Sequence, residues 1–405
     1  MNILWVSPFL PHPSAGHAGG QAVHRWISSL APRHAITLAC RVEPQEAGHV
    51  ELIRPLLRAV HLLPFARPES GLLQAARIAV SYVRLGRLAS RLLDRGDFDL
   101  VHVDWLETGL GLGRRRRVPR VAVAIDELSK PARRRFEQAQ GRRMRAMAWL
   151  TWRASVAVQR RVCGGYDAML AMSEQDRQAL SAVNPGLAAR VLPFPVLIDA
   201  ALPDDARRER NHLLFVGAMN RDVNIAAAIH LCRDILPLVR GEFPDVRLTI
   251  AGAAPAERVR RLACGAGIEV TGFVGDLASY YARATVFVSP LQIGGGIISK
   301  NLDAMAAGCP VVTSTIGNEG IGATPGTHLL TADGGDAFAR AVIAALRDGA
   351  LRRRLAERAR DFVRERFGAA ASAAVLEQVH DDVVAARRGP RLLSPVGGAD
   401  TLSVR

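Results

Sequence analysis

Two doubly wound α/β domains, each a parallel sheet covered by helices on both faces and both facing a central cleft, form the fold class this sequence predicts. Three observations carry it. Apolar strand-like runs alternate with helical stretches through the first half, the same rhythm restarts after the polar run 204–210, and a glycine-rich turn joins a strand to a helix late in the second half. Ligands of such sheets bind beyond the carboxyl ends of the strands, so two sheets in tandem imply a shared cleft.

In the first half the short apolar runs 2–7, 35–40, 59–64, 100–103, 121–125 and 168–172 read as strands, with helices between them at 23–31, 72–93 and 142–162. After the break, 212–216, 247–251, 269–271, 286–289 and 311–313 make a second set of strands. Apolar spacing at 336–348, 351–367 and 370–386 is helical. The expected organisation is a first domain over 1–200, a second over 201–369, a closing helix at 370–387 and a loose tail at 388–405 with Gly-Pro and Gly-Gly pairs. No repeat of solenoid period is present.

A chain of 405 residues with 49% hydrophobic content can build two separate cores. No apolar run is long enough to span a bilayer, and the N-terminus lacks a charged leader, so a cytosolic protein is expected. The five cysteines are scattered without paired spacing and read as reduced, buried thiols rather than disulfides or zinc ligands. Net charge is +15. Aromatics at 5% and the lack of any nucleic-acid-binding motif argue against nucleic acid as the partner. The charge concentrates between Arg114 and Arg161, where Met144, Met147, Trp149, Leu150 and Trp152 interleave with arginines. That pattern fits a solvated arginine face over a core-facing stripe, and also a basic helix lying on an anionic membrane surface.

The stretch 289–312 holds the most chemistry. It reads as a strand, the loop Gln292-Ile293-Gly294-Gly295-Gly296, a helix from about Ile298 to Ala307, Gly308 past the helix end, and a buried strand from Pro310. Successive glycines before a helix let backbone N–H groups converge where the helix dipole is positive, which suits a phosphate. Lys300 in the first turn disfavours the helix by itself but becomes useful if a phosphate sits in front of it. It is one of only two lysines in the chain, beside Lys130.

This segment resembles the donor-site signature of retaining nucleotide-sugar glycosyltransferases of family 4 (group 1), in the subgroup reading P-L-x-x-G-G-G-x-x-x-K-x-L-[ED]-A-M-A-x-G-x-P-V-V. The resemblance covers most of the chain, more weakly toward the N-terminus, and implies the GT-B fold of two Rossmann-like domains. It further implies that Lys300 faces the leaving diphosphate, that Ile293, Gly294, Gly295 and Gly296 hold the sugar and phosphates through backbone, and that Asp303 stands where the family's glutamate accepts from the ribose hydroxyls. Aspartate keeps both acceptor oxygens but is one methylene shorter.

Other segments extend the likeness. Gly19-Gly20 resembles the glycine pair the family lays over the diphosphate from the acceptor domain; plain turn glycines are the alternative. Leu214-Phe215-Val216-Gly217-Ala218-Met219 matches the family's F-V-G-x-M segment, with Gly217 at the phosphates and Asn224 suited to cap the next helix. The usual arginine and lysine of that loop are missing, which leaves Arg221 as a displaced phosphate ligand or a surface salt bridge with Asp222 partly neutralising it. Gly272-Phe273-Val274-Gly275-Asp276 resembles G-x-V-x-D, and Val274 is the candidate for a backbone contact to the base. Asp126 follows the fifth strand, where the family often carries a histidine. It can orient the acceptor or balance charge there, or cap a helix ahead of Leu128. Ser173-Glu174-Gln175-Asp176-Arg177 reads as a structural helix start.

The expected activity is retaining transfer of a hexosyl unit from a UDP-, GDP-, ADP- or TDP-sugar to a hydroxyl of a lipid-linked or soluble saccharide, in exopolysaccharide or envelope glycan assembly. Lys300, Arg221 and Asp126 are the catalytic candidates, and no cofactor or metal is expected. A soluble natural-product acceptor, a non-catalytic nucleotide-sugar binder and an epimerase of the same fold are the alternatives.

Overall fold

The computed structural model describes residues 1–66, 74–113, 118–125, 129–196, 208–293 and 296–388. The first domain is one seven-stranded sheet in the order β3-β2-β1-β4-β5-β6-β7, with every neighbour parallel. Its strands are β1 (Asn2–Ser7), β2 (Ala35–Val42), β3 (Ala59–Pro64), β4 (Leu100–Asp104), β5 (Arg120–Ala124), β6 (Ala168–Ala171) and β7 (Ala188–Val191). The second is a parallel six-stranded sheet in the order β10-β9-β8-β11-β12-β13. It comprises β8 (His212–Val216), β9 (Arg247–Ala251), β10 (Ile268–Gly272), β11 (Val286–Ser289), β12 (Val311–Thr313) and β13 (Leu330–Thr331). Both sheets reverse strand order once, between β1 and β4 and between β8 and β11, the kind of position where ligands of such sheets bind.

The principal helices are α1 (Ala18–Leu30), α2 (Gln74–Arg95), α3 (Lys130–Gln138), α4 (Arg142–Cys163), α5 (Glu174–Val183), α6 (Asp222–His230), α7 (Leu277–Arg283), α8 (Ser299–Ala306), α9 (Gly335–Arg347), α10 (Gly349–Phe367) and α11 (Ala369–Arg388). β7 and β13 escaped the sequence reading. Ala188–Val191 is a partly exposed edge strand of mostly small residues, and β13 has two residues. Helix α1 begins five residues before the expected start at residue 23, so Gly19 and Gly20 are helical, not loop, residues. His17 causes this: its ring Nδ1 accepts from the Gly20 N–H at 3.0 Å and caps a turn that glycine would otherwise leave frayed. Ser173 caps α5 as read. Of the cysteines, Cys40, Cys163 and Cys309 are buried, whereas Cys264 is exposed and Cys232 half-buried, against the expectation of five buried thiols.

Helix α11 leaves the second domain and packs on the first. Trp26 Nε1 of α1 donates to Ser372 Oγ at 2.7 Å, and Glu377 takes the Arg33 guanidinium at 2.7 Å. One apolar cluster accordingly runs from Ile27 through Leu376 and Val379 to Phe367 and Phe287 of the second sheet. At the centre of this contact lies a buried polar chain. Trp5 Nε1 donates to Asp104 at 2.6 Å, His102 Nε2 lies 3.1 Å from the same carboxylate, and His102 Nδ1 lies 3.0 Å from Nε2 of His380. If Asp104 holds the His102 Nε2 proton, His380 must donate to His102, and its own buried Nδ1 is left unpartnered.

Burial first, and then the neighbouring His102, hold the His380 pKa well below the ordinary histidine value of 6.5. A depressed histidine contributes stability that is fully present above that value and lost as pH falls below it, because only the unfolded chain then takes the proton. The melting temperature should therefore fall from pH 7 to pH 5, and His380→Leu should flatten that slope while costing about 1–3 kcal/mol at pH 7, since His102 loses its partner. Calorimetric melting across this range checks it. A slope unchanged in the variant would overturn the assignment.

Candidate functional site

The site grows from the point where β8 and β9 end side by side. Gly217, directly after β8, donates its N–H to Ala251 O at 3.0 Å. Gly252 after β9 has φ +151, and a Cβ there would run into the Gly217 carbonyl oxygen, so these strand ends touch only because this residue is glycine. The chain then turns through 218–221 into α6. Arg221 occupies the N-cap position and is exposed. The Asp222 carboxylate beside it faces Arg258 at 3.8 Å.

Asn224 is not the helix cap expected of it. It sits in the first turn of α6 and turns its side chain back, with Nδ2 donating to Ala218 O at 2.9 Å and Oδ1 accepting from Lys300 Nζ at 2.7 Å. Lys300 reaches this place from the first turn of α8, after β11. Its ammonium lies 4.6 Å from the centre of the Phe215 ring, and a Cβ on Gly217 would stand 3.0 Å from Nζ and 2.8 Å from the Asn224 amide. Lysine, asparagine, phenyl ring and bare glycine thus close around one cation at the reversal point of the second sheet. Although Lys300 keeps partial surface exposure, desolvation of its ammonium, followed by the nearby charge of Arg221, lowers its pKa from 10.5 to about 7.

Asp303 lies three residues on along α8, on the helix face Lys300 occupies, and is 8% exposed. It is near enough to Tyr281 for its charge to help raise that phenol's pKa, after burial. Tyr281 donates to the Lys300 carbonyl at 3.3 Å. Between them Asn301 points the other way, giving Nδ2 to Thr313 Oγ1 at 3.0 Å and Gly317 O at 2.9 Å, which pins α8 to β12. In the preceding loop Ile293 is exposed and Gly296 has φ +74, a conformation that favours glycine. Gly320 packs beneath that loop, since its Cβ would come within 2.6 Å of Gly296 O. Gly294, Gly295 and Asp126 lie outside the described residues.

Val274 packs inward against the core, while its neighbour Phe273 is 79% exposed past the end of β10. In the first domain Gly19 lies against the Trp105 indole, where a Cβ would stand 2.7 Å from the ring. Trp105, at the end of β4, holds φ +55 and ψ 128 because its N–H is tied to Val123 O and its carbonyl to the Thr108 N–H, each at 3.0 Å. Gly217, Asn224 and Lys300 therefore converge directly, with Arg221 acting through its charge and Asp303 one helical turn away. Gly19 and Gly20 stand on the other domain. Sequence reasoning missed Phe215, which sits near the end of β8 and looks like an ordinary core residue in sequence. Among the described residues no group of three or more His, Cys, Asp or Glu is arranged to hold a metal ion.

Residues 210–348, which carry the second sheet and this site, match the family model of glycosyl transferases group 1. The chain is 30% identical over 164 residues to an uncharacterized 44.6 kDa protein in the cps region of Klebsiella pneumoniae, covering 38% of this chain and 42% of that one. It is 32% identical over 213 residues to phosphatidyl-myo-inositol mannosyltransferase of Mycobacterium tuberculosis, covering 49% and 51%. The matches span about half the length of these curated relatives. Sucrose-phosphate synthase from Thermosynechococcus elongatus superposes with a TM-score of 0.73 at 18% identity, over 95% of this chain and 100% of that one. Anabaena HepE in complex with UDP and glucose superposes with a TM-score of 0.64 at 16% identity, over 94% and 99%. These likenesses establish the GT-B fold.

Proposed function

We propose that this protein is a retaining glycosyltransferase that moves a hexosyl unit from a nucleoside diphosphate sugar to a hydroxyl of a saccharide acceptor, at the cytosolic side of exopolysaccharide or envelope glycan assembly. The observation that carries this reading is the enclosure of Lys300 by Asn224, Phe215 and Gly217 at the point where the N-termini of α6 and α8 meet. A cation held there, with two helix dipoles aimed at the same place, suits a diphosphate.

In the reaction the bond between the anomeric carbon and the phosphate oxygen breaks and a bond to the acceptor oxygen forms on the same face. The acceptor proton passes to the departing phosphate. Negative charge grows on the diphosphate as the bond stretches, and Lys300, Arg221 and the helix N-termini stabilise it. This scheme requires no metal. The backbone around Gly294, Gly295 and Gly296 would hold the sugar, Val274 the base through its backbone and Asp303 the ribose, with Gly19 and Gly20 closing from the first domain. The HepE complex with UDP and the mannosyltransferase acting on a phosphatidylinositol support a nucleotide donor and a lipid-linked acceptor.

Thermal stabilisation by UDP-, GDP-, ADP- and TDP-sugars tests the donor assignment, because a ligand that binds only the folded chain raises its melting temperature by mass action. One of the four should stabilise the protein. With that donor's nucleoside diphosphate, Asp303→Asn should weaken calorimetric affinity roughly tenfold while changing kcat little, since a ribose contact is equal in ground and transition states. No stabilisation by any donor would overturn the reading, and unchanged affinity would remove Asp303 from the site.

A further inference from the structure

An ammonium has three N–H donors and no acceptor, so the groups around Lys300 decide where each proton points. One goes to Asn224 Oδ1 at 2.7 Å, and the Phe215 ring, with its centre 4.6 Å from Nζ, covers a second side. A third donor is left. The bare Cα of Gly217 keeps the space beside Nζ clear, since a Cβ there would stand 3.0 Å away. Asn224 is itself fixed. Its Nδ2 donates to Ala218 O at 2.9 Å, and because a carbonyl can only accept, the amide turns its oxygen and not its nitrogen to Lys300. The asparagine is 7% exposed, in the first turn of α6, and a Cβ on Gly217 would come within 2.8 Å of its amide and displace it. Among the described residues few charges face this ammonium. Arg221 at the N-cap of α6 opposes its proton, as desolvation does; Asp222 beside it faces Arg258; Asp303 lies one turn along α8; and Tyr281 of α7 is a phenol that burial keeps neutral.

We propose that Asn224 is a positioning residue, whose side-chain oxygen keeps the proton on Lys300 and leaves one N–H of the ammonium for an anionic ligand. The physical reason is the choice of a neutral acceptor. An apolar residue of the same size would leave the desolvated amine without an acceptor and favour its neutral form. A carboxylate would hold the proton more firmly but cancel the charge that an anion needs. The amide oxygen favours the ammonium without cancelling it, and the bond to Ala218 fixes its direction. Asn224 thus acts on the ligand through the lysine. That the anion is the diphosphate of a sugar donor rests on the glycosyltransferase reading, but the hold on the Lys300 proton does not.

Lys300 can be observed directly, because the chain has one other lysine, Lys130. In protein carrying 13C at the lysine Cε atoms, Lys130→Arg leaves the Lys300 NMR signal, and its movement with pH reports protonation in the free protein. The parent should titrate with a midpoint of about 7. Asn224→Asp should raise that midpoint by about one to three pH units, and Asn224→Leu should lower it by about one. Should Asn224→Leu fail to fold, Asn224→Ala takes its place with the same expected direction. At pH 6 Asn224→Asp should also bind the nucleotide sugar that stabilises the parent at least about tenfold more weakly, despite its firmer proton. If none of the UDP-, GDP-, ADP- or TDP-sugars stabilises the parent, the glycosyltransferase reading falls and the titration still decides the role of Asn224. An asparagine that only supports the fold would lower the melting temperature and leave the midpoint in place. A midpoint unmoved in either variant, or moved in the same direction by both, would overturn the proposal.

Discussion

Lys300→Ala is expected to lower turnover about a hundredfold at saturating donor with the fold intact. The reason lies in when the charge is needed. In the proposed reaction Lys300 would face the diphosphate, whose negative charge grows as its bond to the sugar breaks, so the interaction would be stronger in the transition state than in the ground state and would appear in kcat. Removal of one such preorganised donor costs about 3 kcal/mol, and each 1.36 kcal/mol is about a factor of ten. Loss of the ammonium leaves Asn224 without its donor but also removes a poorly solvated charge, so the melting temperature should move little. Lys300→Arg should not rescue activity, because a planar guanidinium cannot repeat the point-charge contact that the ammonium makes with Asn224 Oδ1 and the Phe215 ring. Steady-state transfer or donor hydrolysis is the measurement. An unchanged kcat would remove Lys300 from the chemistry.

Donor affinity should fall with rising pH from about 7, by up to about tenfold per unit. Burial first, and Arg221 second, bring the Lys300 pKa to about 7 in the free protein, so at pH 8 most molecules carry a neutral amine. A bound diphosphate favours the ammonium and raises that pKa. Binding therefore takes up a proton: below pH 7 the site is already charged and affinity is level, and above it each unit of pH makes the uptake costlier until the raised pKa of the complex is reached. The pyrophosphate diester of a nucleotide sugar does not itself titrate there. Titration calorimetry at pH 8 in buffers of different ionisation enthalpy should register close to one proton taken up. Arg221→Ala, by lifting the free-state pKa, should move the onset to higher pH. Affinity that stays level from pH 6.5 to 8.5 would overturn the linkage.

Much of the architecture was legible because it is written in short-range pattern. Residues 2–7, 212–216 and 286–289 are short apolar runs bounded by turn signals, as strands buried on both faces are, and the glycines before Lys300 mark a strand-to-helix turn. Those local signals placed Lys300 and Asp303 on one helix and Gly217 past a strand. Their partners were another matter. Asn224 looked like a cap because asparagine near a helix start usually is one, yet in the fold its amide serves Lys300 across 76 residues of sequence. Gly19 was read in a loop, as one of a glycine pair laid over the diphosphate or as a plain turn glycine, whereas in the fold His17 closes a helical turn around it and the Trp105 indole fills the space beside it. The sequence by itself determined the two parallel sheets, their glycine turns and the lysine at the second of them. Only the tertiary structure decided what surrounds that lysine, that His380 of α11 meets His102 of the first sheet, and that most of α4 stays outside the core. Strand and helix periodicity records which face of an element is apolar, but the identity of the partner on that face depends on contacts between distant residues, which no local pattern encodes.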